Sequence, residues 1–160
     1  MVCGLSTINT RDMEIEVYND EYFMKQAMRE AELAYAEDEV PVGAIITVNK
    51  KIIGRGHNLT ERLVDITAHA EIQAITAASG YLGAKYLKDC TLYVTLEPCP
   101  MCAGALFWSQ IGRVVYAARD EKRGFISNGG RLHKTTVLEG GLMEKEASSL
   151  LKTYFASKRL

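Results

Sequence analysis

No run of apolar residues in this 160-residue chain is long enough to cross a membrane. The longest, such as residues 42–48, are strand-sized, far below the ~18 residues that a helical span needs. The N-terminal stretch has no apolar segment of the kind that drives secretion, so no signal peptide is expected. Repeats and low-complexity tracts are absent too, which excludes a repeat array or a compositionally biased segment. The four cysteines, two of them in a single Cys-x-x-Cys, do not form the framework of a secreted disulfide scaffold. The cytoplasm is the default compartment, with no membrane association. A strong overall charge is also missing: the net value of −1 neither requires nor forbids a nucleic-acid partner.

The distribution of charge says more. Residues 1–40 hold ten acids and three bases, whereas the segment from Gln110 onward holds ten bases and five acids. The bases gather at Arg119, Lys122, Arg123, Arg131 and Lys134, and again at Lys152, Lys158 and Arg159. Such asymmetry suits a polyanion-binding face. It equally suits a solvated surface whose terminal bases complement a helix C-terminus.

At 17.7 kDa the chain is sized for one domain that buries roughly 70% of its unfolded surface. Residues 1–16 are expected to be a disordered or loosely attached extension, with Met13 as good a start site as Met1, and 17–160 to be the folded domain. From Asp20, a good N-cap, apolar residues at helical spacing predict about five turns ending near Pro41. Residues 42–48 and 51–56 around Asn49-Lys50 read as a β-hairpin, and 58–67 as polar loop. Thr67 can cap a helix over 68–78 that stops at Ser79-Gly80. A strand over 90–96 precedes Pro98 and Pro100, which open a helix to about Trp108. A strand over 113–117, a Gly-rich basic loop over 120–134, a strand over 135–139 and a C-terminal helix complete the chain. A hairpin followed by alternating strands and helices implies an α/β fold, a mixed sheet covered on both faces.

Two short motifs carry the chemistry. His69 and Glu71 fall in the first turn of the second helix, and Cys99 and Cys102 in the first turn of the third. One imidazole and two thiolates suit zinc, and helix N-termini favour the thiolate form. Three protein ligands leave the fourth tetrahedral position for water, as a catalytic zinc requires. Glu71, two residues from a ligand, is placed to shuttle protons to a ring nitrogen and to departing ammonia. A thioredoxin-like redox pair would leave His69 and Glu71 without roles. A structural zinc would need a fourth ligand from Cys90, His57 or His133, which read more simply as a core cysteine and two exposed loop histidines. Asn58 closes the hairpin as a turn residue or as a contact to a sugar or base. Asp120 is a loop cap or a substrate contact, and Trp108 reads as packing before base stacking.

The order His-x-Glu followed by Pro-Cys-x-x-Cys is the signature of zinc nucleobase deaminases. The chain resembles the bacterial tRNA-specific adenosine deaminases, within the cytidine/deoxycytidylate deaminase superfamily, from about residue 18 to 159. The resemblance rests on Glu39-Val40-Pro41-Val42-Gly43-Ala44, Thr67-Ala68-His69-Ala70-Glu71 and Thr91-Leu92-Tyr93-Val94-Thr95-Leu96-Glu97-Pro98-Cys99. It continues through Met101-Cys102-Ala103-Gly104-Ala105, Ile111-Gly112-Arg113-Val114-Val115-Tyr116 and Ala118-Arg119-Asp120. It implies a three-layer α/β/α cytidine deaminase-like fold around a five-stranded mixed sheet. It also implies a homodimer and conversion of the wobble adenosine of a tRNA anticodon loop to inosine. By motif match, His69, Cys99 and Cys102 would hold one Zn2+ per subunit, Glu71 would move the protons, and Asn58 would touch the target nucleoside. Asp120 matches an acid beside the bound RNA.

The loop over 122–134 is shorter than in many relatives and lacks their Gly-Ser-Leu pattern. The Pro-Cys-Pro-Met-Cys spelling also occurs in free-base deaminases such as guanine deaminase, which makes a nucleobase or nucleoside deaminase the alternative. A catalytically silent zinc-bearing RNA-binding partner is a third reading, against which the intact Glu71 argues.

Overall fold

The computed structural model describes residues 17–159; the expected N-terminal extension lies outside them. In chain order the elements are α1 (Asp20–Ala36), β1 (Gly43–Val48), β2 (Lys51–His57), α2 (Ala70–Leu82) and β3 (Cys90–Leu96), followed by α3 (Pro100–Ser109), β4 (Arg113–Ala118), α4 (Phe125–Asn128), β5 (Val137–Gly140) and α5 (Glu144–Ser157). The hairpin forms where expected. Asn49 and Lys50 both take positive φ, 48° and 58°, the two-residue turn whose twist matches that of the strands it joins.

The strands form one sheet in the order β2-β1-β3-β4-β5. β1 runs antiparallel to β2 and β3, whereas β3, β4 and β5 are parallel. This mixture puts the end of β2, the start of β1 and the ends of β3 and β4 on the same edge. Every residue singled out for chemistry lies in a segment leaving or entering that edge.

Alternation along the strands divides the core into two layers. Ala44, Ile46, Leu92, Val94 and Val114 pack under α2 and α3 through Ala70, Ala74, Ala78 and Leu106. On the other face Ile45, Tyr93, Val115 and Ala117 pack against α1 and α5 through Phe23, Met24, Ala27 and Ala147. The result is the three-layer α/β/α architecture. Along β2 the sheet approaches α2 so closely that a Cβ on Gly54 would lie 2.5 Å from the Ala74 carbonyl oxygen, and one on Gly56 would lie 2.3 Å from that of Ala70. Both distances are far inside van der Waals contact, so the helix sits at glycine distance from this strand.

Several boundaries differ from the sequence reading. α1 is capped by Asn19, whose side chain accepts from the Tyr22 amide at 2.9 Å, because the Asp20 carboxylate is engaged elsewhere. α2 begins two residues later than expected and continues past Gly80 to a left-handed cap at Gly83. Residues 78–82 keep helical spacing, and Gly80 has open space around it. β5 lies over Val137–Gly140, slightly later than expected, and the basic loop contains the short helix α4. His57 ends β2, half-buried between Glu30 at 3.2 Å and Glu37 at 3.3 Å, and is not an exposed loop residue. Cys90 is buried in the core as expected.

At the sheet edge away from the chemistry, Arg113 binds Asp20 through two nitrogens at 2.8 and 2.6 Å and also contacts Glu139. Tyr93 donates to the same aspartate at 2.6 Å. One cation thus ties the first helix to the start of β4 and to β5. The Arg113 hydrogen bonds hold the Asp20 carboxyl below its ordinary 3.8. A depressed carboxyl contributes stability above its unfolded value and loses it as pH falls through the folded one. Asp20→Asn should therefore lower the melting temperature at pH 7. In thermal scans run downward in pH, its difference from the unaltered protein should close once pH passes below the ordinary 3.8. A difference that persists into that range would assign the effect to packing.

Candidate metal centre and active site

β3 ends at Leu96, and the chain turns through Glu97-Pro98 before α3 starts. Pro100 occupies the first turn, where its missing N–H costs nothing. Cys99 is the N-cap of α3, and His69 is the N-cap of α2. Neither lies inside a first turn, as the sequence had suggested; the two ligands sit one step outside the helices, with Glu71 and Cys102 inside them. Neither side chain is used as a helix cap, so both remain available to a metal.

The three donors converge. His69 Nδ1 lies 3.6 Å from Cys99 Sγ and 3.6 Å from Cys102 Sγ, and all three ligand atoms fall within 4.8 Å of one another. A tetrahedral zinc with bonds of about 2.3 Å to sulfur and about 2.0–2.1 Å to nitrogen has an N···S edge of about 3.5 Å. The donor set and its spacing fit zinc. Hydrogen bonds from Cys102 and His69 draw the Cys99 thiol down to about 4, whereas Cys102 is pushed up by the neighbouring Cys99 and by burial. A coordinated dication removes the proton from a thiol outright and so overrides that second shift. Neither His57 nor His133 belongs to the group: His57 is bound to carboxylates, and His133 bonds Thr135 at 2.7 Å.

Glu71 is buried behind the ligands, and burial lifts its carboxyl to about 7. A buried carboxyl beside the donor group is placed to pass protons at a metal-bound water. Asn58 follows β2 and is only 6% exposed. The next residue, Leu59, donates its amide to the carbonyl of Ala68 at 3.0 Å, which fixes Asn58 beside the residue preceding the histidine ligand. Asp120 follows β4. Its Oδ1 accepts from the amides of Lys122 at 3.2 Å and Arg123 at 3.0 Å, so it caps its own loop.

Two buried acids in this region were not visible as site residues from sequence. Glu97, 2% exposed, accepts the Asp120 amide at 3.3 Å, and Phe125 donates to the Pro98 carbonyl at 2.9 Å. The loop after β4 is thereby tied to the turn that presents Cys99. Glu39 is wholly buried and receives four donors from residues 58–62. Only the Glu39-Val40-Pro41 motif had marked that position, without a role. Trp108 is 77% exposed and is not core packing among the described residues.

The model of the cytidine and deoxycytidylate deaminase zinc-binding region matches residues 17–118 of this chain. The chain belongs to that family. The deaminase is 46% identical over 144 residues to a tRNA-specific adenosine deaminase of Aquifex aeolicus (strain VF5), a match covering 87% of this chain and 95% of the relative. A solved structure from work on A-to-I editing by tRNA:A34 deaminases at the wobble position of transfer RNA matches the deaminase at TM-score 0.75 and 41% identity. That match covers 81% of this chain and 99% of the other. An X-ray structure of guanine deaminase from Bacillus subtilis matches at TM-score 0.61 and 44% identity, over 63% of this chain and 65% of its own. Similarity to the tRNA enzymes therefore extends over nearly the whole relative, and similarity to this guanine enzyme over about two thirds.

Proposed function

We propose that this protein hydrolytically deaminates the wobble adenosine of a tRNA anticodon loop to inosine, acting as a cytoplasmic homodimer with one zinc per subunit. The observation that carries the reading is the His69, Cys99 and Cys102 donor group with buried Glu71 behind it. The 46% identity to a tRNA-specific enzyme over 95% of its length narrows the substrate.

When bound at these three donors, zinc supplies a water acidified toward neutrality at the open position. Glu71 takes one proton from the attacking water and gives it to the ring nitrogen, then takes a second from the hydroxyl added to the ring carbon and gives it to the amine, which leaves as ammonia. Asn58 holds the nucleoside, whose base must leave the stack before water can attack its ring. Arg119, Lys122 and Arg123 are exposed on the loop that Asp120 caps, where they can meet phosphates and release counterions. Lys158, by contrast, is ion-paired with Asp38, which makes it a weaker candidate for RNA than the loop bases. The dimer reading draws support from exposed apolar residues next to the ligand helices, chiefly Val64, Ile66 and Trp108.

Guanine deamination is the second reading, favoured by the Bacillus subtilis match. Purified protein incubated with an anticodon stem-loop carrying a wobble adenosine, and separately with free guanine, decides between them. Inosine in the nuclease-digested stem-loop is the expected result. Rapid loss of guanine with no inosine would overturn the proposal.

A further inference from the structure

The buried acid Glu39 lies outside the zinc chemistry, yet the segment that carries Asn58 is organised around it. Its Oε1 accepts the Arg62 amide at 2.7 Å. Its Oε2 accepts the Glu61 amide at 3.2 Å, the Thr60 hydroxyl at 3.4 Å and Asn58 Nδ2 at 3.4 Å. All four partners donate, so both carboxylate oxygens act as acceptors. This has a consequence for the asparagine. An amide can turn over and exchange its oxygen for its nitrogen, but turning Asn58 would set Oδ1 against an acceptor-only group. The amide is held with its nitrogen toward Glu39. Its Oδ1 is buried and has no hydrogen-bond partner within the chain, while the backbone of the same residue is pinned to Val42 at 3.1 Å.

A buried acceptor without a donor is costly unless a ligand supplies one. Adenine carries a single donor, the exocyclic amine; its other hydrogen-bonding edges only accept. That amine is the leaving group and belongs at the metal. In an internal nucleotide the 3′ and 5′ oxygens are esterified, which leaves the ribose 2′-hydroxyl as the one remaining donor.

We infer that Glu39 is a positioning residue: it fixes the Asn58 amide so that Oδ1 accepts the 2′-hydroxyl of the target nucleotide, which makes the site selective for a ribose at that position. This rests on the proposed substrate, an adenosine within an RNA loop.

The test compares two anticodon stem-loops, identical except that the target nucleotide is adenosine in one and 2′-deoxyadenosine in the other. They are assayed with the unaltered protein, Glu39→Gln, Asn58→Ala and the double variant, with zinc content and melting temperature measured for each. The unaltered protein should favour the ribose substrate by at least tenfold in kcat/KM. Glu39→Gln can no longer accept four donors and lets the amide turn, so its preference should fall to near unity while its zinc content stays unchanged. The double variant should be no slower than Asn58→Ala alone, because Glu39 acts through that side chain. Retained ribose preference in either single variant, or multiplicative losses in the double, would overturn the role of Glu39. If Glu39→Gln fails to fold, the Asn58→Ala comparison still decides whether Oδ1 reads the sugar. Failure of the substrate reading has a separate signature: the unaltered protein then makes no inosine in the ribose stem-loop, and this inference falls with it.

Discussion

Glu71→Ala is expected to keep about one zinc per chain and to lose on the order of 10³- to 10⁴-fold in turnover. A positioned acid–base group contributes a factor of roughly 10²–10⁴, and the role proposed for Glu71 spans two successive proton transfers. Glu71 is buried behind the donor group and is not one of its three ligand residues. Removing its carboxylate should therefore leave the metal in place. Metal analysis beside single-turnover deamination of the stem-loop checks both halves. A metal-free Glu71→Ala protein would contradict the separation of binding from proton transfer.

Cys102→Ala acts on the other half of the centre. Cys102 is buried within the first turn of α3, and its sulfur lies 3.6 Å from His69 Nδ1. Two ligands on two different helices cannot hold zinc against micromolar chelator as three can. The variant should purify with little metal and show no measurable deamination. A ligand present at about 1,000 times its Kd stabilises the folded state by about 4 kcal/mol. For a chain of this size that corresponds to a melting temperature lower by on the order of 10 °C. A chelator should lower the melting temperature of the unaltered protein and leave that of Cys102→Ala where it is. Equal chelator responses in the two proteins would show that the metal does not support the fold.

The donor group was legible because it is written in short range. His69 and Glu71 lie two residues apart and Cys99 and Cys102 three apart, and each pair follows a strand whose apolar run is plain in the sequence. The hairpin was legible for the same reason, since Asn49 and Lys50 tolerate the backbone their turn needs. What escaped depends on partners distant in the chain. Asp20 looked like a helix cap because nothing local shows Arg113, 93 residues away, which takes its carboxylate. Glu39 stood out only as part of a shared motif, because its four donors come from residues 58–62. Glu97 was passed over as a neighbour of the cysteine motif, and its bond to Asp120 appears only when β3 and β4 lie side by side. The placement of His69 and Cys99 as caps escaped for a subtler reason. A ligand at the cap and a ligand in the first turn have the same spacing in sequence, and only backbone dihedrals tell them apart.

The glycine-spaced contact between β2 and α2 bears on how this scaffold can be engineered. Replacing glycine by alanine is a routine route to thermostability, since it restricts the unfolded chain. At Gly80 and Gly104, within helices and with nothing within 4 Å of an added methyl, that route is open. At Gly54 and Gly56 it is closed, because the new methyl would drive into the backbone of the helix whose N-cap is His69. A library built on composition alone would spoil the catalyst from a strand that bears none of its ligands. One that spares these two positions and accepts the other two could gain heat resistance while leaving the donor triangle undisturbed.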